Sequence, residues 1–235
     1  MPQINLIDFF EYYAGEIQQK EGVTLLQKSM NQTLLMDEAA WVQAYRAKPE
    51  PPQGEASLAN PIECSYDCQL TNPGPDGWRE CFSSSCAMAV HYWRPEVAID
   101  DYHRKRPQFG DSTDPSAQIR TIKHFGLDCK YVQVGSVEKL KEQLDLGRPT
   151  PVGFLHHGPS PSAPSGGGHW ILAVGHTPEH LIAHDPYGEL DNVNGGYPLV
   201  GGEHGKYVKY SWKYWAPRWS VANEADGWGL GIIKP

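Results

Sequence analysis

A chain of 235 residues, 40% apolar and 20% charged, has the composition of a globular protein with room for one ordinary domain and a small extra one. Its net charge of about -8 and the absence of any Lys/Arg run argue against nucleic acid as a partner, because phosphates demand a basic face. No apolar stretch approaches the roughly 18 residues of a membrane span.

Met1-Pro2-Gln3-Ile4-Asn5 lacks the basic-then-apolar pattern of a secretory signal, so cytoplasmic synthesis is expected. The five cysteines agree: an odd number in a chain this long reads as reduced thiols, leaving at least one for chemistry.

Residues 5 to 47 read as three short helices. Asn5 caps Leu6 to Tyr13, and Gly15 ends it. Ile17, Val23 to Leu26 and Met30 form a second, weakened by Gly22. Leu34, Leu35, Ala39, Trp41, Val42 and Tyr45 form a third. The prolines Pro49, Pro51 and Pro52 then break helix. The division expected is a small helical accessory domain over 1–48, a Pro-rich linker over 49–61 and a main domain over 62–235.

The main domain starts with loop to about Arg79. A helix is expected from about Phe82 to Trp93, stopped by Pro95. Asp114-Pro115 starts another, with Gly126 as its stop. Val132 to Val134 reads as a strand, and Ser136 caps a helix ending near Gly147. Strands follow at Pro151 to Leu155, Trp170 to Val174, His180 to Ala183, Tyr207 to Tyr210 and Gly229 to Ile233. Helices first and antiparallel strands after give an α+β fold.

Cys81 stands where turn formers give way to helix formers. At a helix start, unpaired N–H groups and the helix dipole favour an anion, and the thiolate is the nucleophilic form of cysteine. Cys86, inside the helix beside Ala87 and Met88, reads as a core residue.

A cysteine nucleophile needs a base and an orienting partner. Of the ten histidines, His169 follows the glycine run Gly166-Gly167-Gly168 and opens the apolar strand Trp170 to Gly175. If this strand and Leu181 to His184 form a hairpin across Thr177-Pro178-Glu179, His169 and Asp185 meet at its open end. His176 falls at the turn. His184 points to the opposite face. His156 and His157 precede the glycine loop and could line the cleft. A zinc site from Cys64, Cys68, Cys81 and His91 lacks a matching second pair. Cys64 and Cys68 are either core thiols or a surface disulfide.

These segments resemble the bacteriocin-processing-type, papain-like cysteine peptidases. Cys81-Phe82-Ser83-Ser84-Ser85-Cys86-Ala87-Met88 resembles their nucleophile helix. Gly168-His169-Trp170-Ile171-Leu172-Ala173-Val174-Gly175 is similar to their histidine strand, and Asp185-Pro186-Tyr187-Gly188 to their Asp-Pro element. The resemblance spans roughly 62 to 235. It implies a papain-like peptidase domain with helices packed on an antiparallel sheet, and a triad of Cys81, His169 and Asp185. It requires no cofactor and no metal.

The family's oxyanion glutamine usually stands about six residues before the cysteine, where this chain has Pro75. Gln69, farther upstream as in phage-encoded members, is the match. The family's Gly-Pro after the cysteine is replaced by Phe82-Ser83. The stretch Gly205 to Trp219 resembles the tails of phage and cyanobacterial members, which implies an endolysin-type endopeptidase acting on peptidoglycan peptides. Such a protein would reach a host cell wall on release or travel in a virion. An amidase or acyl transferase of the same fold, or a non-catalytic phage structural module, are the alternatives. Trp78, Trp93, Trp212, Trp215 and Trp219 could stack on sugar or peptide, or pack the core.

Overall fold

The computed structural model describes residues 60–74 and 76–233, with the backbone of three strands nearer the N-terminus. Those strands are β1 (Ile17–Lys20), β2 (Val23–Gln27) and β3 (Thr33–Asp37), and they pair antiparallel in chain order. Here the helical expectation for the segment is corrected. Val23-Thr24-Leu25-Leu26 and Thr33-Leu34-Leu35-Met36 are short apolar runs of a length that suits strands. The pairing of β1 with β2 runs from Ile17↔Leu26 to Lys20↔Val23, a strand pair where a helix was expected. The expected first helix, the later part of the third, and all of the linker except Asn60 and Pro61 lie outside the described residues.

The main body begins with α1 (Cys81–Trp93), α2 (Ile99–Lys105), α3 (Pro115–His124), β4 (Asp128–Gly135) and α4 (Val137–Asp145). Strands β5 (Thr150–Phe154), β6 (His169–His176) and β7 (His180–His184) follow. The short β8 (Gly188–Glu189) pairs with β9 (Leu199–Val200). The chain ends in β10 (Val208–Ser211), α5 (Trp212–Trp219) and β11 (Gly227–Ile233). One six-stranded sheet of order β10-β7-β6-β5-β11-β4 is antiparallel throughout.

The caps follow the sequence. The Asp114 carboxylate accepts from Ser116 N at 2.8 Å, and Ser136 Oγ accepts from Lys139 N at 3.3 Å. Two helices were not anticipated. In α2, Asp100, Asp101, Arg104 and Lys105 crowd seven residues and blur the apolar face. In α5, Pro217 and a high aromatic content obscure a helix whose Trp215 and Trp219 are fully buried and stacked at 5.2 Å.

α1 is buried on nearly every side, from Phe82 to Val90 and again at Trp93. A helix can be enclosed this way only if it is apolar or if its polar groups are satisfied. Ser83 Oγ accepts from Gln118 Nε2, Ser84 Oγ bonds Asn72, and Ser85 Oγ donates to Cys81 O. No helix of the described residues is long and apolar enough to cross a membrane.

Candidate active site

Cys81 is the first residue of α1 and is half-buried, whereas Cys64, Cys68, Cys86 and Cys129 are buried; all five thiols are free. Cys64 and Cys68 are therefore core thiols and not a disulfide. Burial, and then the nearby Glu63 charge, pushes the Cys64 thiol up to about 12. Burial likewise holds Cys86 well above the ordinary thiol value. Among the described residues no three His, Cys, Asp or Glu side chains come together as a metal site.

The hairpin forms as its alternation implied. β6 and β7 pair from Leu172↔His184 to His176↔Leu181, with a bulge between Ala173 and Gly175. Gly168, at φ +90°, turns the chain into His169. His169 Nε2 donates to Asp185 Oδ1 at 2.7 Å, and the pair is almost wholly buried. Its other ring nitrogen, Nδ1, is left for Cys81, whose side chain hydrogen-bonds the imidazole.

Burial by itself would lower the His169 imidazolium and is the largest single influence. The Asp185 charge, then Cys81 and the hydrogen bonds to both, outweigh it and hold the pKa up to about 10. The other histidines fall elsewhere. His184 faces the opposite side and bonds Cys64 O, and His176 pairs with Asp145 near the turn.

Asp185 is 0% exposed and fully occupied. Its Oδ1 also accepts from Tyr187 N at 3.0 Å. Its Oδ2 accepts from Tyr197 Oη and Tyr210 Oη, each at 2.9 Å. Burial first, and then the Asp185 charge, raises both phenols well above their ordinary value. Neither tyrosine was foreseen. Tyr210 lay on an expected strand, but Tyr197 sits in a loop with no motif to mark it.

His156 was foreseen only as a possible cleft-lining residue. Its ring centroid lies 5.7 Å from that of His169, and burial, then the charge on His169, lowers it to about 4, so it is neutral at pH 7.

Gln69 opens a short 3-10 turn on the approach to Cys81. Its backbone N donates to Pro186 O at 2.9 Å, tying it to the loop after Asp185. Its Nε2 donates one N–H to Gly77 O, also at 2.9 Å, four residues before Cys81, and its buried Oε1 accepts nothing among the described residues. Glu80, immediately before Cys81, is held by Arg106 at 2.6 Å in a pair largely removed from solvent.

The replaced Gly-Pro has a structural counterpart. Phe82 stacks on Trp170 with centroids 3.6 Å apart and planes within 7°. The residue after the cysteine thus grips the residue after the histidine. Of the five tryptophans considered for stacking, Trp93, Trp212, Trp215 and Trp219 are buried, and Trp78 is 67% exposed.

No family model matches the chain, and no curated protein matches it in sequence. Solved structures do match. A C39-like peptidase from Bacillus anthracis aligns with a TM-score of 0.50 at 12% identity, covering 73% of this chain and 94% of that one. A double glycine motif protease from an AMS/PCAT transporter, solved with its leader peptide, gives 0.45 at 13% identity over 78% of this chain and 100% of that one. The peptidase domain of Streptococcus ComA, a bifunctional ABC transporter involved in quorum sensing, gives 0.43 at 16% identity over 70% and 97%. The Bacillus likeness shows the fold, the helix-on-antiparallel-sheet arrangement of C39 papain-like peptidase domains.

Proposed function

We propose that this protein is a cysteine peptidase in which Cys81, His169 and Asp185 cleave an amide bond. The observation that carries the reading is the hydrogen-bonded line from the half-buried thiol at the start of α1, through His169, to the enclosed Asp185 carboxylate.

The Cys81 thiolate attacks the substrate carbonyl carbon. The electron pair moved onto oxygen is met by the Cys81 backbone N–H and the second N–H of Gln69 Nε2, typically worth about 3 kcal/mol per donor. The tetrahedral centre collapses, the C–N bond breaks, and the imidazolium gives its Nδ1 proton to the leaving amine. Water, deprotonated by the now neutral His169, hydrolyses the thioester and restores the thiolate–imidazolium pair. Asp185 keeps the ring in the one tautomer that serves both steps.

For the substrate we propose the peptides of bacterial peptidoglycan, cut by an endolysin-type endopeptidase. The exposed Trp78, three residues before Cys81, and Leu70, next to Gln69, offer apolar contact surface close to these residues. The test is mass spectrometry of purified peptidoglycan incubated with wild type and with Cys81→Ala. New termini within the peptides with wild type alone support the reading, whole peptides released from an intact glycan at their N-terminus identify an amidase, and amine adducts identify a transferase. No product from peptidoglycan or from a peptide library, together with a Cys81 that iodoacetamide does not label at mildly acidic pH, overturns it in favour of a non-catalytic module.

A further inference from the structure

We propose that Tyr197 is a positioning residue of this site, acting through Asp185 to fix the carboxylate on which His169 depends; the inference rests on the function proposed above.

An ionised carboxylate has about four lone-pair positions. In Asp185 these are shared evenly: His169 Nε2 and Tyr187 N on Oδ1, Tyr197 Oη and Tyr210 Oη on Oδ2. With Oδ2 anchored by two phenols the group cannot rotate, and Oδ1 is the oxygen offered to the imidazole. The two tyrosines are not equivalent. Tyr210 comes from β10, and its hydroxyl also accepts from Leu190 N, so it is wired into the fold. The Tyr197 hydroxyl makes one hydrogen bond among the described residues, that to Asp185. The Tyr197 ring stands edge-on to His169 at 5.3 Å and to Tyr187 at 4.9 Å, so the phenol is boxed on the side where it meets the pair.

The loop that delivers Tyr197 is itself held. Gly196 N donates to His156 O, and Asp191 N to Gly196 O. Arg218, fully buried on α5, donates to the carbonyls of Leu155, His157 and Gly158 on one loop and of Asn192 and Val193 on the other. A buried guanidinium thus clamps the segment after β5 to the segment before Tyr197. That polar scaffold sets Tyr197 to one distance from Asp185.

The groups facing Asp185 are His169 from β6, Tyr210 from β10, Tyr197 and Tyr187 from loops, and Tyr66, whose hydroxyl donates to the Asp185 backbone carbonyl. Cys81 on α1 and His156 after β5 complete the surroundings. Hydrogen bonds to the charged form of a carboxylate lower its proton affinity. Losing one loosens the carboxylate's hold on the His169 imidazolium, and with it the imidazolium's support of the Cys81 thiolate.

The experiment compares wild type and Tyr197→Phe, which keeps the ring and deletes the hydroxyl. Circular dichroism checks the fold. Two pH profiles are then recorded, of Cys81 alkylation by iodoacetamide and of kcat/KM on the substrate that wild type cleaves. The expected result is a folded variant with kcat about tenfold lower and KM little changed, and an acid limb moved to higher pH in both profiles. Tyr210→Phe should move the limb in the same direction. A folded Tyr197→Phe with the wild-type acid limb overturns the proposal, as does a uniform loss at every pH, which is what packing alone would give. A wild type that cleaves nothing and whose Cys81 is not alkylated at mildly acidic pH overturns the functional reading itself and is recognised before the variant is compared.

Discussion

Replacing Asp185 by Asn removes the charge and leaves the shape nearly unchanged. The wild-type carboxylate outweighs the desolvation of His169 and, with Cys81, lifts the imidazolium from an ordinary 6.5 to about 10. That interval corresponds to about 5 kcal/mol in favour of the charged ring, and Asp185 is the largest contributor to it. In Asp185→Asn, burial prevails and His169 is neutral at pH 7. The amide also offers one acceptor oxygen where four donors converge.

A fall in kcat/KM of at least about 100-fold at pH 7 is expected, given that an orienting carboxylate can be worth up to about 10⁴. Alkylation of Cys81 at pH 5 should slow in parallel. Stability gives an independent readout. A histidine whose folded pKa is raised contributes stability that is complete below the unfolded value of 6.5 and is lost as pH rises through about 10. The Tm difference between wild type and Asp185→Asn should therefore be largest near pH 6 and shrink towards pH 10. If Asp185→Asn retains wild-type kcat/KM, or if the Tm difference grows with pH, the electrostatic argument is refuted.

Three further outcomes follow from the same geometry. Cys86→Ala should leave kcat/KM unchanged and cost about 1 kcal/mol in urea unfolding, since Cys86 is sealed in the core, whereas Cys81→Ala should abolish turnover with an unchanged midpoint. Gly153→Ala should destabilise by about 2 kcal/mol or more by thermal melting, because a Cβ there would strike the Trp228 indole and come within 3.0 Å of Trp170 Cε2. Trp78→Ala should raise KM about threefold to tenfold with kcat and Tm little altered, as the substrate contact proposed for this exposed aromatic requires.

The β6–β7 hairpin was legible because two apolar strands flank a turn containing Pro178, and the arithmetic of that hairpin brings its two ends together. The start of α1 was legible because glycine and proline stop abruptly before Cys81. The strands β1 to β3 were not, because short apolar runs of four or five residues fit either period. Tyr197 was invisible for a different reason. Its contact with Asp185 spans a sequence separation of 12 that includes the short β8, and nothing local in Gly195-Gly196-Tyr197 specifies where the segment after β8 returns.

Two unlike devices set the relation between Cys81 and His169. On one side the Phe82–Trp170 stack joins α1 to β6 one residue beyond Cys81 and His169, so any slide of the helix along the sheet would break a face-to-face aromatic contact. Gly153 on β5 leaves the room into which Trp170 and Trp228 fold, which makes that glycine part of the alignment as well as of the sheet. On the other side the restraint is polar, with Arg218 drawing two loops together and those loops carrying His156 and Tyr197 towards His169. The apolar side fixes Cys81 against His169 through packing, which is insensitive to pH. The polar side fixes Asp185 against His169 through groups that respond to charge. Disturbing the first should lower the rate equally at every pH, and disturbing the second should move the profile, so the two can be separated by the shape of the loss and not by its size.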